Sequence, residues 1–128
     1  MYRGFRDLEC YKQARELRIL VSEMARQFPS HERFLLRPQL VDSARSICRN
    51  IAEGYGRFTY TDTRSFFIIA RGSVTETMEN LLTAFDENYL TKDQQQVADE
   101  KCETVFKLIN GYINYLDKSV QRSRKPNS

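Results

Sequence analysis

The chain predicts an all-α protein: an up-down-up-down antiparallel four-helix bundle that assembles into a homo-oligomer. Three observations carry this prediction. Four segments place apolar residues at spacings of three and four, the period of one helix face. Only 3 prolines and 5 glycines interrupt 128 residues, and no alternating run bounded by turn residues reads as a strand. The connections are short, which sets successive helices side by side and antiparallel.

The first helix is expected from about Arg6 to Phe28, with Asp7 and Glu9 in its first turn, where negative charge suits the helix dipole. Leu8, Tyr11, Ala14, Leu17, Val21, Met24 and Phe28 form its apolar face. Pro29-Ser30-His31-Glu32 breaks it. The second helix follows the cluster Phe34-Leu35-Leu36 and tolerates Pro38 in its first turn, where a missing N–H does no harm. Its stripe is Leu36, Leu40, Ser43 or Ala44, Ile47 and Ile51, and Gly54 and Gly56 are expected to end it in the left-handed conformation.

Thr61 or Asp62 is expected to cap the third helix. Its seam reads Phe67, Ala70, Val74, Met78, Leu81 and Phe85. Phe66-Phe67-Ile68-Ile69-Ala70 is apolar around most of the circumference, which implies a second buried surface beyond one bundle interior and so a subunit interface. Asp86 to Leu90 is a turn. Thr91 with Gln94 three residues on reads as a capping box for the fourth helix. Ala98, Cys102, Val105, Ile109, Tyr112 and Leu116 form its seam.

A chain of this length is one domain, able to bury roughly two-thirds of its unfolded surface without help from metals or disulfides. Residues 1–118 are expected to form the bundle and 119–128 a flexible basic tail. No apolar stretch nears the ~20 residues that cross a bilayer. The start, Met1-Tyr2-Arg3-Gly4-Phe5-Arg6, lacks the apolar core of a signal peptide. The expectation is a cytoplasmic protein with no membrane partner. Cys10, Cys48 and Cys102 are odd in number and scattered, so they read as free buried thiols.

Charge is unevenly spread. Residues 1–71 hold 13 Lys and Arg against 8 Asp and Glu, residues 72–117 hold 3 against 9, and residues 118–128 add four positives. In the first stretch every base is Arg except Lys12. Guanidinium forks suit phosphate and carboxylate alike. The asymmetry therefore reads either as a polyanion-binding face or as complementary helix surfaces within an assembly. The candidate nucleic-acid residues are Arg45, Arg49, Arg57 and Arg64 around the second helix and its turn, with Arg15, Arg18 and Arg26 on the first. Tyr55, Phe58 and Tyr60 beside Arg57 are candidates for base stacking or simple packing.

Asn50 and Glu53 lie three apart on one helix face. They read as a ligand pair or, with Arg71 and Glu76, as a polar network that fixes register or subunit contacts. Gly54 and Gly56 are not a phosphate loop, because no strand precedes them and no Gly-Lys-Ser/Thr follows. Gly72, inside a helix, is expected to permit close helix approach. Metal, cofactor and catalytic chemistry are not expected. His31 is the only histidine and has no partner spacing to Cys or Ser, and Glu76 and Glu79 lack the Glu-x-x-His pairs of a di-iron bundle.

The segment Ser46-Ile47-x-x-Asn50-Ile51-Ala52-Glu53-Gly54-x-Gly56-Arg57, followed by Phe66-x-x-Ile69-Ala70-Arg71-Gly72-Ser73-x-x-Glu76, resembles the bacterial 23S ribosomal RNA intervening-sequence proteins. Phe5-Arg6-Asp7-Leu8 and Phe28-Pro29-x-x-Glu32-Arg33-Phe34 are similar to that family's start and first loop. The chain departs from the family at Tyr11, where Trp is common, at Cys48, where Pro is common, and near Leu35, where Gly is common. The resemblance implies a four-helix bundle, commonly a homopentamer, some of whose members are encoded within inserts in 23S rRNA genes. It is also related to bundle proteins that bind nucleic acid as pentamers.

Three functions follow as expectations. The first is a non-enzymatic, oligomeric RNA- or nucleic-acid-binding protein that holds phosphates through Arg-rich faces. The second is a scaffold whose charged faces dock a partner protein. The third and least favoured, against the expectation of no catalysis, is an enzyme using paired carboxylates in a bundle or ring cavity.

Overall fold

The protein, seen in a computed structural model, is described over residues 4–124, with side chains described through Val120. Among the described residues it is all-α. Four helices carry the fold: α1 (Glu9–Ala25), α2 (Leu36–Tyr55), α3 (Tyr60–Asp86) and α4 (Lys92–Arg124), with short 3-10 turns at Gly4–Asp7 and Ser30–Glu32. Packing is cyclic, α1 on α2, α2 on α3, α3 on α4 and α4 back on α1. The core is one cluster in which Leu17, Leu40, Ile47, Ile51, Phe67, Val74, Leu81, Val105 and Ile109 lose all solvent contact.

Helix starts follow local chemistry. Extended backbone at Leu8 separates the first 3-10 turn from α1, so α1 begins at Glu9, three residues later than the expected start at Arg6. The Glu32 carboxylate accepts the Leu36 N–H at 3.2 Å and opens α2, leaving Pro38 harmlessly in the first turn. Thr59, two residues earlier than expected, caps α3 by accepting the Asp62 N–H at 3.2 Å. The Thr91–Gln94 capping box forms as read: the Thr91 N–H donates to Gln94 Oε1 at 2.9 Å, and the Gln94 N–H donates to Thr91 Oγ1 at 3.1 Å.

Helix ends differ from expectation. Gly54 lies inside α2, and Gly56 follows its end with a φ of −82°, so neither glycine takes the left-handed conformation. Gly54 is instead required by close approach, because a Cβ there would lie 2.8 Å from Phe66 Cβ and 3.0 Å from Phe67 Cδ1. The left-handed helix end is at Asn88, with φ 65°. Its N–H reaches the Phe85 carbonyl while the Tyr89 N–H reaches Ala84, which closes α3 in a Schellman pattern. Gly72 has nothing within 4 Å of a Cβ position, so the close approach expected there is not made within the chain.

The seams shift by one position. In α3 the buried positions Thr63, Phe67, Ala70, Val74, Thr77, Leu81 and Ala84 follow a 4-3 alternation, with Asn80 buried beside them, which admits Thr77 and leaves Met78 and Phe85 half-buried. In α4 Ile113 takes the core place expected of Tyr112, whose ring stacks on Phe67 with centroids 4.5 Å apart. The apolar run 66–70 is largely absorbed within the chain. Phe67 and Ala70 are core, Ile68 packs against it, and Phe66 lies between Gly54 and the Arg57 guanidinium. Only Ile69, 51% exposed, remains for a second surface.

A polar seam runs between α2 and α3. Asn50 donates to Ser46 Oγ at 3.0 Å, Ser46 Oγ meets Ser73 Oγ at 2.8 Å, and Ser73 donates to the Ile69 carbonyl. Deeper in, the Thr77 hydroxyl lies 2.8 Å from the Ser73 carbonyl and 2.9 Å from Ser43 Oγ, and Asn80 approaches Ser43 Oγ at 3.4 Å. Along these pairs the α3 numbers rise as the α2 numbers fall, so the two helices run in opposite directions. The α4 helix continues to Arg124, so the tail expected from 119 begins as helix, and 125–128 lie outside the described residues.

Candidate nucleic-acid interface

The outer face of α1 and α2 gathers most of the arginines picked out above. Opposite the buried α2 positions Leu40, Ile47 and Ile51, helical spacing sets Arg45 and Arg49 one turn apart on the solvent side, and both are exposed. On α1 the core positions Ala14, Leu17 and Val21 leave Arg15, Arg18, Ser22 and Arg26 on the flank toward α2. A shallow groove of about 210 Å³ between the helices is lined by Arg18, Ile19, Ser22, Glu23, Arg26 and Arg45.

Arg18 is half-buried beside the Cys48 thiol on α2. Burial pushes that thiol up, and Arg18 and Arg15 beside it pull the other way. The ion pairs within 4 Å among the described residues are Arg57–Glu53, Arg64–Asp117 and Lys101–Glu16. None uses Arg15, Arg18, Arg26, Arg45 or Arg49. These guanidinia therefore keep their forks for another anion.

The other two candidates sit apart from this face. Arg57, in the α2–α3 turn, pairs with Glu53 at 3.5 Å and lies over the Phe66 ring at 4.7 Å. Arg64 belongs to an α3–α4 clamp: its Nε donates to Asp117 Oδ1 at 2.9 Å, and the Tyr60 hydroxyl donates to the same oxygen. Arg64, first, and then Tyr60 hold the Asp117 carboxyl below the usual carboxylate range. Of the candidate stacking residues, Tyr60 is thus engaged and Tyr55 is half-buried, whereas Phe58 is fully exposed at the turn.

Asn50, Glu53 and Arg71 make separate contacts within the chain. Asn50 serves the α2–α3 seam, Glu53 pairs with Arg57, and Arg71 donates to Asn110 Oδ1 on α4 at 2.8 Å. Glu76 is exposed on α3.

The three cysteines are free and buried, and burial pushes Cys10 up to about 11 and Cys102 up to about 12. No group of three or more His, Cys, Asp or Glu among the described residues could hold a metal ion. His31 lies 3.0 Å from the Tyr89 hydroxyl, which donates to Glu32 at 2.8 Å and ties the α1–α2 turn to the α3–α4 turn. No described helix is long and apolar enough to cross a membrane.

Sequence reading missed Ile19, Ser22 and Glu23 as groove residues and Asp117 as the partner of Arg64. The α1 spacing of Arg15, Arg18, Ser22 and Arg26 was the available signal for the groove. Nothing local to residues 60–64 points to residue 117.

The fold is that of a solved bacterial protein. The crystal structure of a protein of unknown function from the S23 ribosomal protein family of Bacteroides thetaiotaomicron VPI-5482 superposes with a TM-score of 0.77 at 20% identity, covering 82% of this chain and 95% of that one. No functionally curated protein matches the sequence. The model of the family described as 23S rRNA-intervening sequence protein matches residues 6–111, and the chain belongs to that family.

Proposed function

We propose that the chain is a non-enzymatic, cytoplasmic RNA- or nucleic-acid-binding protein, an up-down-up-down bundle working as a homo-oligomer, with the pentamer favoured. The observation that carries the reading is the α1–α2 face, where Arg18, Arg26 and Arg45 line one groove, Arg15 and Arg49 flank it one turn along their helices, and none of the five makes an ion pair among the described residues. Guanidinia held on rigid helices and left unneutralised attract phosphate by fork geometry and counterion release. The family description ties related chains to 23S rRNA genes, which agrees with an RNA partner. Repetition of the face around an assembly would multiply weak contacts.

A second reading has its own support. The excess of acid in residues 72–117 gives α3 and the first part of α4 a surface that a basic partner protein could dock. Binding of a labelled structured RNA, followed by fluorescence anisotropy across a salt series, tests the first reading. Arg45→Glu with Arg49→Glu is expected to abolish binding while sedimentation and helix content stay as in the parent. Undiminished binding by this variant would move the site away from α1–α2. Absence of RNA binding even at low salt would favour the protein-docking reading.

A further inference from the structure

The composition of the α1–α2 face says which form of nucleic acid it suits. We infer that it takes the sugar–phosphate backbone of a double helix, RNA or DNA, in preference to a single strand. This inference rests on the nucleic-acid reading above and narrows its ligand.

The first support is what the groove lacks. Arg18, Ile19, Ser22, Glu23, Arg26 and Arg45 line it, and none is aromatic. Single strands expose their bases, and proteins that hold them supply rings on which those bases stack. The nearest ring on α1, Tyr11, is half-buried and held edge-on by Phe5 at 4.8 Å. Phe34 and Phe58 are exposed, but in the turns beyond the ends of the face, and Phe34 carries the Arg33 guanidinium over its ring at 4.7 Å. Ile19 is the only apolar side chain in the groove, and it offers a base no flat surface.

The second support is density. Arg15 and Arg26, the residue that follows α1, are eleven helical steps apart, about 16 Å along the axis. Neighbouring helices pack about 8–10 Å apart, so the arginines form a rigid strip rather than a point. A duplex carries one phosphate per ~1.7 Å of axis over both strands, twice the density along one strand of it. A strip of fixed positive charges therefore meets more phosphates on a duplex, whose stiff backbone also gives up little conformational freedom on docking. Ser22 adds a neutral hydroxyl donor. Glu23 is the opposing charge in the groove.

The test uses the full chain and four labelled probes of one sequence, about 20 nucleotides long: RNA duplex, DNA duplex and the single strand of each. Both duplexes are expected to bind about tenfold or more tighter than their single strands at low salt. Five phosphate contacts per protomer give a slope of log K against log salt near −4.5 on duplex DNA, falling to about −2.7 in Arg45→Gln with Arg49→Gln. Tighter RNA than DNA duplex binding points to A-form geometry and equal binding to backbone charge alone, and both support the inference. Phe34→Ala and Phe58→Ala are expected to change nothing. Single strands binding as well as duplexes, or loss of binding in the Phe variants, overturns the duplex preference and leaves the nucleic-acid reading standing. Failure of all four probes overturns both.

Discussion

Gly54 shows how one missing atom positions two helices. Phe66 Cβ occupies the space where a Cβ at position 54 would lie, at 2.8 Å, and Phe67 fills the rest. Phe66 Cβ is fixed by its backbone, so it cannot swing away as a side-chain tip can. Gly54→Ala gains up to about 1 kcal/mol of intrinsic helix propensity, but overpacking of this kind costs about 1–3 kcal/mol. The variant is expected to be less stable by about 1 kcal/mol in urea unfolding, with a matching fall in Tm. A gain in stability would show that α3 retreats at little cost. The sequence presents Gly54 and Gly56 as equals, a pair of breakers at the end of an apolar stripe. What separates them is Phe66 arriving from α3, and that contact depends on the turn between the helices. The left-handed place at Asn88 was hidden for a similar reason, since Asn is also a common polar turn residue.

At the scale of elements, α3 and α4 are joined by polar contacts at their solvent edge. Asp117 accepts from Arg64 and Tyr60, and Arg71 reaches Asn110 two turns away. Because Arg64 and Tyr60 depress the Asp117 carboxyl in the folded state, the folded chain binds a proton there less readily than the unfolded chain. The clamp's contribution is therefore complete above the ordinary carboxylate range, about pH 4, and fades as pH falls through the lower folded value. Asp117→Asn is expected to melt below the parent at pH 7, with the two curves converging as pH drops below about 4. A gap that persists at low pH would assign the loss to packing rather than charge. The periodicity of α1, α2 and α4 and the Thr91–Gln94 box were legible because they are local patterns. The α3 seam was harder to read. Thr77 is fully buried yet polar, and its place becomes intelligible only when Ser43 and Ser73 supply its hydrogen-bond partners. Likewise, the Arg-rich face was visible as a list of residues, whereas the loss of Arg57 and Arg64 to Glu53 and Asp117 was not.

For the whole molecule, the outer face of α3 leaves something unexplained within one chain. Gly72 sits in the interior of a 27-residue helix with nothing near its Cβ position, and Ile69 one turn earlier is 51% exposed. An exposed helical glycine costs about 1 kcal/mol against Ala, and no contact in the chain compensates for it. In the proposed homo-oligomer the same pair has a use: a small residue beside an exposed isoleucine lets a helix of a second copy approach closely, with Glu76 one turn further on positioned to meet an arginine of that copy. Gly72→Leu is expected to keep or raise helix content, since Leu is a better helix former, while shifting sedimentation toward the single chain. Gly72→Ala should do so more weakly. A Gly72→Leu protein that sediments like the parent would place the subunit contact on another face. If the outer α3 surface is the contact, the basic α1–α2 face stays open to solvent, and assembly and nucleic-acid binding become separable by mutation: Gly72→Leu disperses the subunits and flattens the salt slope toward its single-chain value, whereas Arg45→Gln with Arg49→Gln lowers affinity in an intact assembly.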